Sequence, residues 1–175
     1  MAKWTIDTNH SEVGFKVKHL VVSSVSGKFA SFSGNVEAAK DDFSDAKISF
    51  SADAASIQTG SEQRDGHLKS PDFFDAAQFP TLSFESTSLT PVNGSDYKLK
   101  GNLTMHGVTK PVELDVEFGG IHKDLYGQTV AGFEINGKLK RSEFGLTWSA
   151  VTEAGGLVVS EDVKLHFNIE LIKQA

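Results

Sequence analysis

The sequence predicts an all-β fold, an eight-stranded antiparallel up-and-down barrel with a short helical insert near residues 61–76. Three observations carry this. Apolar and polar residues alternate with period 2 through most of the chain. The connections between the alternating runs are short, which makes consecutive runs antiparallel neighbours. Almost no helical pattern is available to cover the apolar faces, so the sheet must close on itself or pack on a second sheet. Long strands in meander order favour closure, because many sandwiches would need Greek-key crossovers.

The elements follow in order. Val13, Phe15 and Val17 oppose Glu12, Lys16 and Lys18. The stretch 28–38 is less regular, and Gly34 predicts a bulge within it. Ile48, Phe50, Ala52 and Ala54 oppose Lys47, Ser49, Ser51 and Asp53, and Leu82 and Phe84 oppose Ser83 and Glu85. Tyr97, Leu99, Leu103 and Met105 oppose Lys98, Lys100, Asn102 and Thr104. Val112, Leu114, Val116 and Phe118 oppose Glu113, Asp115 and Glu117, and Phe133, Ile135 and Leu139 oppose Glu134, Asn136 and Lys138. The last run is the cleanest: Val163, Leu165, Phe167, Ile169 and Leu171 oppose Lys164, His166, Asn168 and Glu170. Between runs, 91–96 contains the Asn93-Gly94 hairpin signal, and 106–111 and 122–127 separate the next pairs.

At 175 residues the chain reads as one domain, 1–175, long enough to bury a sizeable core. Thirteen Phe against two Trp and two Tyr make that interior large and oily, since Phe brings apolar surface without a polar tip. A net charge of −6 disfavours nucleic acid and anionic membrane surfaces as partners. The absence of cysteine excludes disulfides, thiolate metal sites and a thiol nucleophile. No run is long enough to be a membrane-spanning helix, and MAKWTIDTNHS lacks the apolar core of a secretory signal. The expected location is cytoplasmic, or periplasmic if a leader has been removed.

One stretch breaks the strand pattern. GSEQRDGHLKSPDFFDAAQFP, residues 60–80, gathers Arg64, Asp65, His67, Lys69, Asp72 and Asp75 beside Phe73, Phe74 and Phe79. Ser61 can cap a short helix and Pro71 interrupts it, so one or two helical turns are expected near 61–69 and 71–76. Asp65 and His67 could be an acid–base pair with Arg64 stabilising an anion. The favoured reading makes Arg64 and Asp65 a hydrogen-bonded set that anchors a lid, with Leu68, Phe73 and Phe74 packed on the barrel end, since no nucleophile or metal motif accompanies them.

No two of the six histidines are closer than nine positions, so no helical metal-ligand pair exists. His19 continues the apolar face of Phe15 and Val17, and would place one polar group inside an oily cavity. No GxSxG, GxGxxG or phosphate loop occurs. Residues 141–148, RSEFGLTW, read as a structural corner sooner than a binding loop.

Several motifs, in order and at matching spacing, resemble the YceI-like lipid-binding proteins. They are Trp4-Thr5-Ile6-Asp7 with His10-Ser11; Val13-x-Phe15-x-Val17-x-His19; Gly27-Lys28-Phe29 with Phe32-x-Gly34; and Ser56-Ile57-x-Thr59-Gly60 with Arg64-Asp65-x-His67-Leu68-Lys69-Ser70-x-Asp72-Phe73-Phe74-Asp75. Phe79-Pro80, Gly101-x-Leu103-Thr104-x-His106-Gly107-Val108-Thr109-Lys110-Pro111 and Arg141-x-x-Phe144-Gly145-Leu146 continue the match, which spans about residues 4–171. The resemblance implies an extended lipocalin-like barrel with an elongated apolar tunnel. It implies binding of polyisoprenoid, isoprenoid-quinone or similar long-chain amphiphiles, often by a dimer, and no catalysis as a class.

The expected function is therefore a carrier or store for an isoprenoid-type lipid, with no cofactor, no metal site and no catalytic residue. Phe15, Val17, His19, Phe50, Phe84, Leu99, Leu114, Phe133 and Phe167 should line the tunnel, and Arg64 and His67 are the candidate head-group contacts. One alternative is a hydrolase or isomerase acting on a lipid-like substrate through Asp65 and His67. Another is a ligand-free, stress-related interaction module, with a packed interior and a large exposed apolar patch.

Overall fold

The computed structural model describes residues 1–19, 23–148 and 159–175, the side chain of His19 excepted. Its strands are β1 (Ala2–Ile6), β2 (Glu12–His19), β3 (Ser23–Phe29), β4 (Phe32–Ala38), β5 (Lys47–Asp53) and β6 (Ile57–Gln58), followed by a helix, α1 (Glu62–Lys69). Then come β7 (Thr81–Asn93), β8 (Asp96–Met105), β9 (Val108–Lys123), β10 (Thr129–Lys140) and β11 (Val159–Lys173).

The barrel closes as the ring β1-β4-β5-β7-β8-β9-β10-β11, with β11 returning to β1, eight antiparallel strands in all. The other three strands extend this ring at one end. β2 continues β1 past a short 3₁₀ turn at Thr8–His10, and both pair along β11. β3 leads into β4, and β6 follows β5 past the turn Ala54–Ser56. These three breaks interrupt the strands without changing which strand neighbours which. At the widened end β6 pairs with β3 alone among the described residues. The wall therefore lacks a ladder between β6 and β7, and residues 59–80 fill the gap.

The turns obey local chemistry. Between β8 and β9, His106 and Gly107 both have positive φ, 55° and 73°, the geometry that a two-residue hairpin turn requires. Asn93 and Asp96 pair across the predicted Asn-Gly turn. Pro111 lies inside β9 opposite Asn102, so the β8–β9 connection is shorter than 106–111.

Helix α1 starts at Ser61, whose hydroxyl accepts the Arg64 amide at 3.3 Å. Glu62 and Asp65 lie in its first turn and His67 and Lys69 in its last, charges that complement the helix dipole. Ser70 ends it in an extended conformation, as a residue before proline prefers. No residue of α1 is fully buried. It is held by its caps and clamps, not by an apolar face.

Two expectations are corrected. Residues 71–76 form turns, not a second helical piece, with Asp75 at φ 48°. Gly34 is no bulge: it pairs in register with Phe50, and a Cβ there would stand 2.5 Å from Ile6 Cδ1, so close side-chain approach explains the glycine. The irregularity of 28–38 comes from the break between β3 and β4.

Candidate functional site

Inside the barrel is a cavity of about 620 Å³ that runs from the narrow end to the insert. That volume is within the range of ligand pockets and about four times a buried cavity that admits benzene. Val36, Phe43 and Leu171 border its narrow end, and Leu68, Phe73 and Trp148 its wide end. Of the expected lining, Phe15, Val17, Phe50, Phe84, Leu99, Leu114, Phe133 and Phe167 all border this space. The side chain of His19 lies outside the described residues. Phe15, Phe50, Phe133 and Phe167 face inward yet are only half-buried, because they border open volume and not packed neighbours. The interior is thus not the solid core that a ligand-free interaction module would need.

The lumen stays open partly because large side chains lean over glycines on neighbouring strands. A Cβ on Gly101 would stand 2.4 Å from the Phe84 ring, and one on Gly27 the same distance from Phe15. With no Cβ in the way, the two rings lie along the wall and leave the middle free.

At the narrow end the wall is sealed by aromatics. Phe43, in the loop between β4 and β5, packs against Trp4 and Phe133 at 5.1 Å and Phe118 at 5.3 Å. Its φ of 60° is left-handed, an unusual conformation for a bulky residue. The loop is fixed around it: Asp45 accepts the amides of Ala39 and Lys40, and Tyr97 donates to the Asp42 carbonyl. Those amides hold the Asp45 carboxyl below its usual range.

The insert closes the wide end. Arg64 and Asp65 both grip Thr59: Arg64 Nε donates to the Thr59 hydroxyl at 2.7 Å and Nη2 to its carbonyl at 2.6 Å, while Asp65 accepts its amide at 2.9 Å and its hydroxyl at 2.5 Å. His67 Nε2 is 2.9 Å from Asp72 Oδ2, and its ring meets Phe73 and Trp148 edge-on at 5.1 and 4.9 Å. Phe74 meets Phe29, and Phe79 packs on His106. Arg64 and His67 border the cavity and Asp65 does not. The acid–base pair of Asp65 with His67 is not assembled: each has a different partner, and Asp65 is committed to Thr59. That removes the geometric basis for Asp65 and His67 acting together as acid and base.

Sequence reasoning missed Arg141. Residues 141–148 do form a corner, a 3₁₀ turn at Arg141–Phe144 ended by Gly145 at φ 76°. Within it Arg141 is 5% exposed, the one buried charged residue among those described, and it borders the cavity. Its guanidinium donates to the carbonyls of Leu146, Trp148, Val159 and Ser160 at 2.7–3.3 Å. Burial lowers its pKa, opposed by the charge of Glu161. Arg141 continues the odd-numbered inward face of Phe133, Ile135 and Leu139, but its carbonyl partners come together only in the folded barrel.

Asp7, His10 and Glu170 bring potential metal-ligand atoms within 4.8 Å of one another. None borders the cavity, and Asp7 already binds the Asn9 amide and His10 Nδ1, at 3.1 and 2.7 Å.

A UPF0312 protein of Staphylococcus aureus is 37% identical over 171 residues, covering 97% of both chains. The solved structure of a Campylobacter jejuni YCEI protein superimposes with a TM-score of 0.76 at 34% identity, over 97% of this chain and 96% of that one. A polyisoprenoid binding domain from Saccharophagus degradans shares the fold, with a TM-score of 0.68 at 18% identity over 98% of each chain. Residues 4–171 match the YceI-like domain. With its eight-stranded barrel and an internal cavity closed by the 59–80 insert, the chain belongs to the YceI-like family.

Proposed function

We propose that the barrel holds one long apolar or amphiphilic chain, of polyisoprenoid or isoprenoid-quinone type, as a carrier or store. The observation that carries this is an elongated cavity inside the barrel with an almost wholly apolar wall. Burying a chain there gains about 0.8 kcal/mol per CH₂ group, and no buried polar group of the wall is left unpartnered among the described residues. The Saccharophagus degradans polyisoprenoid binding domain supports the ligand class through a shared fold. Phe15, Val17, Phe50, Phe84, Leu99, Leu114, Phe133 and Phe167 contact the chain, and Arg64 and His67 face its polar end. Organic extraction of the purified protein followed by mass spectrometry should yield a long-chain lipid at near one per barrel. Extracts that contain no such molecule, together with a protein that takes none up from a mixed lipid pool, would refute the proposal.

A further inference from the structure

The basic residues that border the cavity are Lys18, whose side chain is exposed on the outward face, Arg64, His67 and Arg141, and no Asp or Glu does so among the described residues. The chain as a whole is acidic, 23 Asp and Glu against 17 Lys and Arg, so this bias runs against its composition. All four basic residues belong to the same end. Arg141 Nε donates to the Ser160 carbonyl at 2.9 Å, and the Lys18 amide donates to the Ser160 hydroxyl at 3.2 Å. Arg141 Nη1 donates to the Trp148 carbonyl at 2.7 Å, and the Trp148 ring is 4.9 Å from that of His67. Arg64 lies one helical turn before His67 on the cavity side of α1.

Arg141 is the unusual member. It is 5% exposed, and its partners among the described residues are main-chain carbonyls only. No carboxylate forms an ion pair with it among the described residues. Glu161, whose field reaches it, accepts the Ser142 amide at 2.9 Å and does not border the cavity. Carbonyls satisfy donors, and among the described residues the net charge has no counter-ion, which is costly at a buried site. Among the described residues, these four bonds use four of the five guanidinium N–H donors.

We propose that the ligand's head is anionic, a carboxylate or a phosphate, seated at the insert end against Arg141 with Arg64 and His67 around it. This rests on the reading of the cavity as a chain-binding site and adds the charge of the head. The anion supplies a counter-ion to Arg141 while the chain lies along the apolar wall.

The test is a set of amphiphiles with matched chains competing against a neutral, fluorescent apolar probe bound to the intact protein. Farnesyl phosphate, farnesol and farnesylamine form one set; palmitic acid, hexadecanol and hexadecylamine form the other. At least one anion should displace the probe at a concentration about tenfold lower than its alcohol, with the amine weakest, as charge-assisted hydrogen bonding to a buried guanidinium implies. A preference confined to one set tells phosphate from carboxylate. If the probe binds and the alcohols displace it as well as the anions do, the head assignment falls and the chain-binding reading stands. If neither the probe nor any amphiphile binds, both fall.

Discussion

The two ends of this barrel are built on opposite principles. At the narrow end β11 returns to β1, every neighbouring strand is paired, and Phe43 seals the middle against Trp4, Phe118 and Phe133. At the wide end the ladder is interrupted between β6 and β7, and side chains replace it. Arg64 and Asp65 tie the insert to Thr59, and Arg141 ties the 141–148 corner to the start of β11. A closed apolar end stabilises the barrel. An end held by a few polar clamps can part locally while the barrel persists, as a ligand entrance must.

Substitutions at the two ends should separate these roles. The largest loss is expected for Phe43→Ala, which removes the narrow-end seal and should cost about 3–5 kcal/mol in urea unfolding. Arg141→Met should cost about 2–4 kcal/mol, since it strands buried carbonyls at the wide end. Hydrogen exchange should then show the opening concentrated around 141–148 and the start of β11, with the β1–β4 pairing still protected. Asp65→Ala frees the amide and hydroxyl of Thr59 and should cost about 1–2 kcal/mol. Its mark should be faster exchange across 59–80 at nearly unchanged protection of β8 and β9. If Asp65→Ala loosened both ends equally, the contrast between the two ends would fail.

The smallest effect concerns the kink between β1 and β2, where the two regimes meet. The hydrogen bond from His10 holds the Asp7 carboxyl below its ordinary 3.8, and the same bond raises the His10 imidazole above its ordinary 6.5. The Asp7 contribution is present above pH 3.8 and is lost as pH falls through its lowered value. The His10 contribution is present below pH 6.5 and is lost as pH rises through its raised value. Both act between pH 3.8 and 6.5, so the melting-temperature difference between wild type and His10→Gln should be greatest in that window. The pair is exposed, so the difference should be small.

The narrow-end strands were legible in the sequence because alternation is a local signal. The inward face of β11, from Val163 to Leu171, could be read residue by residue. The Ser61 cap and the clamp role of Arg64 and Asp65 were legible too, through cap chemistry and the absence of a partner nucleophile. Phe43 was not, because it sits in a polar loop, DDFSDA, where no period points it inward. Arg141 continues the inward face of Phe133, Ile135 and Leu139, yet its role was not legible, because its partners are carbonyls from residues up to 19 positions away. The helical expectation for 71–76 failed because Pro71 and the left-handed Asp75 redirect the chain toward Phe73 and Phe74, whose burial sets its path.

The central claim is that the interior is a chain-binding tunnel, and calorimetric titration of one head group on chains of increasing length tests it most directly. The account predicts saturable binding of one molecule per barrel. Affinity should rise about fourfold for each added methylene, the equivalent of about 0.8 kcal/mol, until the cavity of about 620 Å³ is filled, and then level off. Affinity independent of chain length, or no saturable binding at any length, would contradict it.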